Sequence, residues 1–371
     1  MKALQLINSL TAGGAEKLLV NSVIEYHKKG IDVNILLING GSSPFLQLLR
    51  PYPEIKVFNL GKNNNIYNPK YILKLRKFFK NYDVVHVHLF PSLYWASIAN
   101  FIDGIFGKKK YKLVYTEHNT TNRRREKKIF KLFDRIIYNR FDAIVSISDA
   151  VDSSLKQHLG KKLENKIIQI YNGIDLKEII EAKKYSRNEI KFDLSDKLIL
   201  QVSSFTPQKN QQTLIKSLKY LPNSFKLILV GDGVEKENCI NIAQKMDISD
   251  RVSFLGIRKD VPRLLKSVDV VVLSSHFEGL SLASVEGLAS GKPLIASDVP
   301  GLTEVVEGAG ILFEDNNEKQ LANLILSVCT NDIINKKTIS DCINRSKKFD
   351  ILTMTQKYSD LYKELFKQIS D

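Results

Sequence analysis

The chain has 371 residues, of which 43% are hydrophobic and 26% charged, and a formal net charge of +15. This describes a globular protein of about two domains, with enough apolar chain to bury a core without disulfides or metal staples. Secreted, collagen-like and integral-membrane classes are excluded: residues 1–8 are broken by polar side chains too early for a signal peptide, and the apolar stretch 92–106 contains Asn100 and Asp103 and is too short to span a bilayer.

In chain order, short β-branched runs alternate with helical patterns. Strands are predicted at 3–7, 33–38, 84–88, 113–117, 143–147 and 167–170, with helices between them such as 15–28 and 69–80. Near-continuous apolar strands separated by helices indicate a parallel sheet covered on both faces. The polar stretch 175–197 reads as a linker. The plan then restarts with strands at 198–203, 226–230, 252–255, 268–273, 293–297 and 310–313, and a last helix at 353–369 carries Tyr358, Leu361, Tyr362, Leu365 and Phe366 on one side. The fold class is therefore α/β, two doubly wound Rossmann-like domains facing a central cleft, at residues 1–180 and 190–350, with the last helix packing back on the first domain.

The charge is unevenly placed. Residues 1–140 hold 24 Lys and Arg against 9 Asp and Glu, whereas residues 141–371 hold 31 of each. The excess peaks at 108–112 and 123–128 and attracts anionic partners such as phospholipid headgroups, a pyrophosphate-bearing lipid or nucleic acid. A solvated, solubilising face explains such a run equally well. Ile129, Phe130, Leu132, Phe133, Ile136 and Ile137 follow at helical spacing, an apolar stripe that either packs on the core or lies in a membrane interface. Cys239, Cys329 and Cys342 are scattered, with neither zinc spacing nor a disulfide framework, as in a reducing cytosol.

Ligands of open α/β sheets bind at the carboxyl ends of strands, so the chemistry is sought there. Gly13 and Gly14 follow the first strand and open a helix whose free amides suit an anion or a sugar hydroxyl, although a tight turn accounts for them as well. His118 ends another strand, in either a structural or a cleft role. Asn172-Gly173 marks a turn. In the second half, the loop 203–210 supplies Lys209, a point charge for phosphate. The segment 277–287 follows a strand. Ser281 or a neighbour starts a helix there, Glu278 precedes it, and Glu286 lies more than one turn inside. Free amides near Ser281 and Leu282 suit a diphosphate, while the two carboxylates suit vicinal hydroxyls.

These residues together resemble the retaining nucleotide-sugar glycosyltransferases of family four, which have the GT-B fold. The resemblance covers nearly the whole chain and is strongest over 198–313. It rests on Glu278 and Glu286 as the family's Glu, seven residues, Glu element, on the run 289–301 after it, on Gly13-Gly14-Ala15-Glu16, and on Asn172-Gly173-Ile174-Asp175. It implies that Glu286 binds the ribose hydroxyls and that Glu278 holds donor-sugar hydroxyls near the reacting carbon. Backbone amides of Gly279, Leu280, Ser281 and Leu282, with Lys209, would hold the diphosphate of a UDP- or GDP-sugar. Gly14 would approach the same phosphates, His118 the donor sugar and Arg258 the base. One position departs from the family: Ser204 stands where a basic residue is usual, leaving Lys209 as that loop's only cation.

What the resemblance implies is a metal-independent, retaining hexosyltransferase without cofactor, acting by front-face displacement on a lipid-linked or polysaccharide acceptor. No Asp-x-Asp metal pair follows a strand in a matching place. The basic first domain adds a cytoplasmic protein, peripheral at the inner membrane face, with an anionic surface rather than nucleic acid as partner. The abundance of Lys, Asn and Ile fits an AT-rich bacterial genome, and with it capsule or lipopolysaccharide assembly. Two other readings remain open: a nucleotide-sugar 2-epimerase on the same scaffold, and a non-catalytic binder of anionic lipid or nucleic acid.

Overall fold

The structure, a computed structural model, describes all residues except 11–13, 42, 62–64, 108, 119–127, 279–280 and 371; at 14, 44, 128–130 and 369–370 it describes the backbone alone. The chain divides into two compact units, residues 1–173 with 351–371, and residues 174–350. Segment 174–180, placed with the first domain on sequence, clusters with the second. Ile174 bridges Asp350, and its N–H donates to the Phe349 carbonyl.

The first unit is built on β1 (Lys2–Ile7), β2 (Asp32–Leu37), β3 (Val57–Asn59), β4 (Val84–His88), β5 (Lys112–Glu117), β6 (Ala143–Ser146) and β7 (Ile167–Gln169). They form one parallel sheet in the order β3-β2-β1-β4-β5-β6-β7. Its helices are α1 (Gly14–Lys28), α2 (Tyr71–Phe79), α3 (Ser92–Ile105), α4 (Lys128–Tyr138) and α5 (Asp149–Leu159). The edge strand β3 is absent from the sequence prediction because Val57-Phe58-Asn59 is too short to show a period. Alternation along the strands sorts side chains between two cores. Leu4, Leu6, Val85 and Val87 share one face with residues of α2, α3 and α5. Ala3, Ile7, Val84 and Val114 share the other with α1.

The second unit repeats the design with β8 (Lys197–Val202), β9 (Phe225–Val230), β10 (Val252–Phe254), β11 (Val270–Leu273), β12 (Leu294–Ser297) and β13 (Ile311–Phe313), ordered β10-β9-β8-β11-β12-β13 and again parallel. Helices α6 (Leu176–Ile180), α7 (Gln211–Ser217), α8 (Lys236–Lys245), α9 (Val261–Ser267), α10 (Leu282–Ala289), α11 (Thr303–Val306), α12 (Glu318–Thr330) and α13 (Asp332–Ser346) connect and cover them. The predicted linker is thus partly helical: Asp175 caps α6 by accepting from the Lys177 N–H at 3.0 Å, and Leu176 and Ile179 are buried. The final helix, α14 (Ile351–Ser370), returns to the first unit, where Tyr358, Leu361, Tyr362 and Leu365 join the α1 face of the sheet. No described helix is long and apolar enough to cross a membrane.

In each sheet the strand order reverses once, between β1 and β4 and between β8 and β11. These switch points are where connections leave in opposite directions and open a crevice at the carboxyl ends of the strands.

Candidate functional site

At the second unit's switch point, the loop after β8 meets the loop after β11. Lys209 stands at the end of the first and Glu278 at the end of the second. The Lys209 Nζ donates to Glu278 Oε1 at 2.6 Å and Oε2 at 2.7 Å, and the Ser275 hydroxyl donates to Oε1 at 2.7 Å. The two side chains keep only 19% and 7% exposure, so the pair is screened little by solvent. An ammonium has three donors, and Glu278 takes two directions of them, which leaves one for an incoming oxygen.

A hydrogen-bonded floor fixes both loops. Gln201, on β8, donates to the Lys209 carbonyl at 3.1 Å, and the Ser274 hydroxyl donates to Gln201 Oε1 at 2.9 Å. The His276 N–H donates to the Gln208 carbonyl at 2.8 Å, while Gln208 Nε2 donates to the Phe277 carbonyl at 2.7 Å. Asn210 takes the left-handed conformation that turns the chain into α7. The neighbouring strand β9 ends at Gly231, φ 137°, where a Cβ would sit 2.0 Å from the Ser203 carbonyl oxygen. Only glycine lets these loops close up.

Helix α10 starts beside the pair. Ser281 is its N-cap, accepting from the Ser284 N–H at 3.4 Å, and Glu286 lies half-buried more than one turn inside. A Cβ at Gly287 would come within 2.9 Å of Leu294 Cδ1, so the glycine seats α10 close to the sheet. The amides of the first turn are what an anion binds at a helix start. Leu282 is exposed; Gly279 and Leu280 lie outside the described residues. Ser204 is exposed at the top of the β8 loop, its carbonyl accepting from Gln211 at 2.9 Å. Arg258, after β10, is held bidentate by Asp260 at 2.8 and 2.6 Å, and Tyr185 donates to the same carboxylate. Those donors hold the Asp260 carboxyl well below the usual carboxylate range.

In the first unit Gly14 opens α1, while Gly13 and Asn119 lie outside the described residues. His118, directly after β5, does not stand alone: its Nε2 lies 3.2 Å from Nδ1 of His88, whose Nε2 lies 2.9 Å from Gln5 Oε1. His86 sits beneath, with ring centroids 4.1 Å from His88. Burial pushes His118 down to about 4 and His86 down to about 3, and His88 the same way, so all three rings are neutral at neutral pH. A small cavity of about 20 Å³, room for a water, is lined by His86, His88, His118, Ser22, Asn172 and Tyr358. His86, His88 and Gln5 were missed on sequence because Val84-Val-His-Val-His88 reads as an apolar strand. The available signal was the two histidines' spacing of two, which turns both to one face.

Two family models match successive parts of the chain: "Glycosyltransferase Family 4" over residues 12–178 and "Glycosyl transferases group 1" over residues 182–349. An Escherichia coli UDP-Gal:alpha-D-GlcNAc-diphosphoundecaprenol alpha-1,3-galactosyltransferase is 28% identical, the alignment covering 79% of each chain. A Campylobacter jejuni N-acetylgalactosamine-N,N'-diacetylbacillosaminyl-diphospho-undecaprenol 4-alpha-N-acetylgalactosaminyltransferase is 26% identical over 93% of this chain and 94% of its own. Among solved structures, Anabaena HepE in complex with UDP and glucose superimposes with a TM-score of 0.75 and 25% identity, covering 97% of this chain and 99% of that one. With two Rossmann-like sheets and both family models matched in order, the chain belongs to the family 4 glycosyltransferases and has the GT-B fold.

Proposed function

We propose that this glycosyltransferase is a retaining enzyme that moves a hexose-type sugar from a nucleoside diphosphate sugar to a lipid-linked or growing glycan acceptor in bacterial surface polysaccharide assembly. The observation that carries the donor side is the Lys209–Glu278 pair beside the first turn of α10. A leaving diphosphate gathers charge as the glycosidic bond breaks. The free direction of the Lys209 ammonium and the α10 amides meet that charge without reorganising, and so stabilise the transition state electrostatically. Glu278 is held in place by Lys209 and Ser275, which suits it to accept from sugar hydroxyls rather than to attack carbon. Glu286 is assigned the ribose and His118 the donor sugar. The diphosphate leaving group itself takes the acceptor's proton in a front-face displacement, and the charge is met by Lys209 and amides, so no metal is required.

The relatives' acceptors named above support a diphospho-undecaprenol-type acceptor, and the Anabaena complex supports a uridine nucleotide donor. The acceptor's lipid gives a reason for the basic first unit. On α4, Leu132, Phe133 and Ile136 are 67%, 47% and 54% exposed. Lys131 and Arg135 lie among them on the same helix. An exposed apolar stripe rimmed by cations is the chemistry of an anionic bilayer surface.

The test is transfer itself: labelled UDP-sugars incubated with a diphospholipid-linked sugar, products partitioned and the new linkage read by NMR. Label in the lipid phase with the donor's own anomeric configuration is expected. Free epimerised sugar would replace this reading with the epimerase; an inverted linkage would remove retention. Flotation with anionic vesicles, strong at low salt and weakened at high salt, checks the membrane face, and absence of binding at low salt ends it.

A further inference from the structure

The histidines below His118 belong to one hydrogen-bonded chain that begins in α14. Tyr358 and Thr116 share a bond at 3.0 Å. Thr116 Oγ1 lies 2.7 Å from His86 Nε2, and His86 Nδ1 lies 2.5 Å from the Tyr362 hydroxyl. Gln5 Nε2 donates to that hydroxyl at 3.1 Å, and Gln5 Oε1 accepts from His88 Nε2 at 2.9 Å. His88 Nδ1 then meets His118 Nε2 at 3.2 Å. Every link but the half-buried His118 is fully buried, Gln5 and His86 to 1% exposure. Strand alternation and register put them there: Gln5 pairs with His86, and His88 with Thr116, on the face that α14 covers.

The inventory of donors leaves such a chain two states, one for each orientation of the Gln5 amide. A neutral imidazole has one N–H and one lone pair, and a hydroxyl has one proton. The Gln5 oxygen only accepts, so His88 carries its proton on Nε2. Its Nδ1 is then a lone pair, and His118 must place its proton on Nε2. At the other end, the Gln5 amide donates to Tyr362, and with the Tyr362 proton turned to His86 Nδ1, His86 donates from Nε2 to Thr116. Turning the Gln5 amide over reverses every bond together.

We propose that Gln5, held by Tyr362 of the carboxy-terminal helix, sets the tautomer of His118 through His88, so that His118 presents an unprotonated Nδ1 as a hydrogen-bond acceptor. Gln5, His88 and Tyr362 are positioning residues. The consequence for substrate rests on the reading that His118 meets the donor sugar: that sugar must offer a hydroxyl proton at the contact, and an analogue bearing fluorine there is refused.

The experiment is nitrogen-15 NMR of the imidazole side chains in the full-length protein at neutral pH, assigned through His86→Gln, His88→Gln and His118→Gln. In the wild type all three rings are expected neutral with the proton on Nε2. In Gln5→Glu the carboxylate draws a second proton onto His88, whose Nδ1–H then needs an acceptor, and His118 switches to the Nδ1–H tautomer. In Tyr362→Phe the Gln5 amide loses its anchor, and His118 becomes a mixture. A wild-type His118 protonated on Nδ1 overturns the inference, even if no variant folds. So does an unchanged His118 in a folded Gln5→Glu protein. Affinity separates the two readings: Gln5→Glu should weaken a UDP-sugar by about tenfold, one hydrogen bond's worth, and leave UDP unchanged. A tautomer that switches with no loss of sugar-nucleotide affinity supports the relay and removes His118 from the donor sugar.

Discussion

Acidification weakens the first unit through its histidines before most carboxylates titrate. His86 is held at about 3 and His118 at about 4, against about 6.5 in an unfolded chain. Their folded values lie below the unfolded one, so the stability they allow is fully present above about pH 6.5 and is lost as pH falls toward the folded values. Each costs about 1.4 kcal/mol per pH unit in that window, hence about 2 kcal/mol each at about pH 5. His88, shifted the same way, adds to the loss. Against a typical domain stability of about 5–15 kcal/mol, the first unit should weaken markedly by about pH 5. Urea unfolding by far-ultraviolet circular dichroism, repeated at half-unit steps between about pH 8 and 5, measures this. His86→Gln should reduce the pH slope by about one proton. A flat profile in the wild type, or the same slope in His86→Gln, refutes the burial argument.

Lys209→Ala leaves the Glu278 carboxylate without its cation and should destabilise the second unit by about 3 kcal/mol; adding Glu278→Gln should recover most of it, as thermal unfolding of the double variant will show. Gly231→Ala drives a Cβ against the Ser203 carbonyl at a positive φ, and should cost at least about 2 kcal/mol and lower nucleotide affinity. Ser281→Ala removes the α10 cap and should cost about 1 kcal/mol in chemical denaturation. Ser204→Arg places a second cation on the β8 loop and should tighten UDP binding several-fold by calorimetry, with the gain disappearing at high salt.

The sheets were legible because parallel strands buried on both faces are apolar runs, and Leu198-Ile-Leu and Val270-Val-Val stand out from any helical period. The helix after Ser281 was legible because a cap residue follows a strand and precedes an apolar turn. Neither the Lys209–Glu278 pair nor the Gln5–His88 bond could be read, because each joins loops or strands brought together only by sheet order, 69 and 83 residues apart in the chain. Arg258 shows the same limit. Its position after β10 suggested a ligand contact, but its local carboxylate partner, Asp260, lies two residues on, and spacing alone does not say which claims the guanidinium. The edge strand β3 was lost because three residues carry no alternation.

A crystal structure with bound UDP tests the central claim most directly. The account predicts the paired phosphates against the Ser281 and Leu282 amides and the Lys209 ammonium, with the ribose at Glu286. A nucleotide lodged at another strand end, with the first turn of α10 and Lys209 facing solvent, would contradict it.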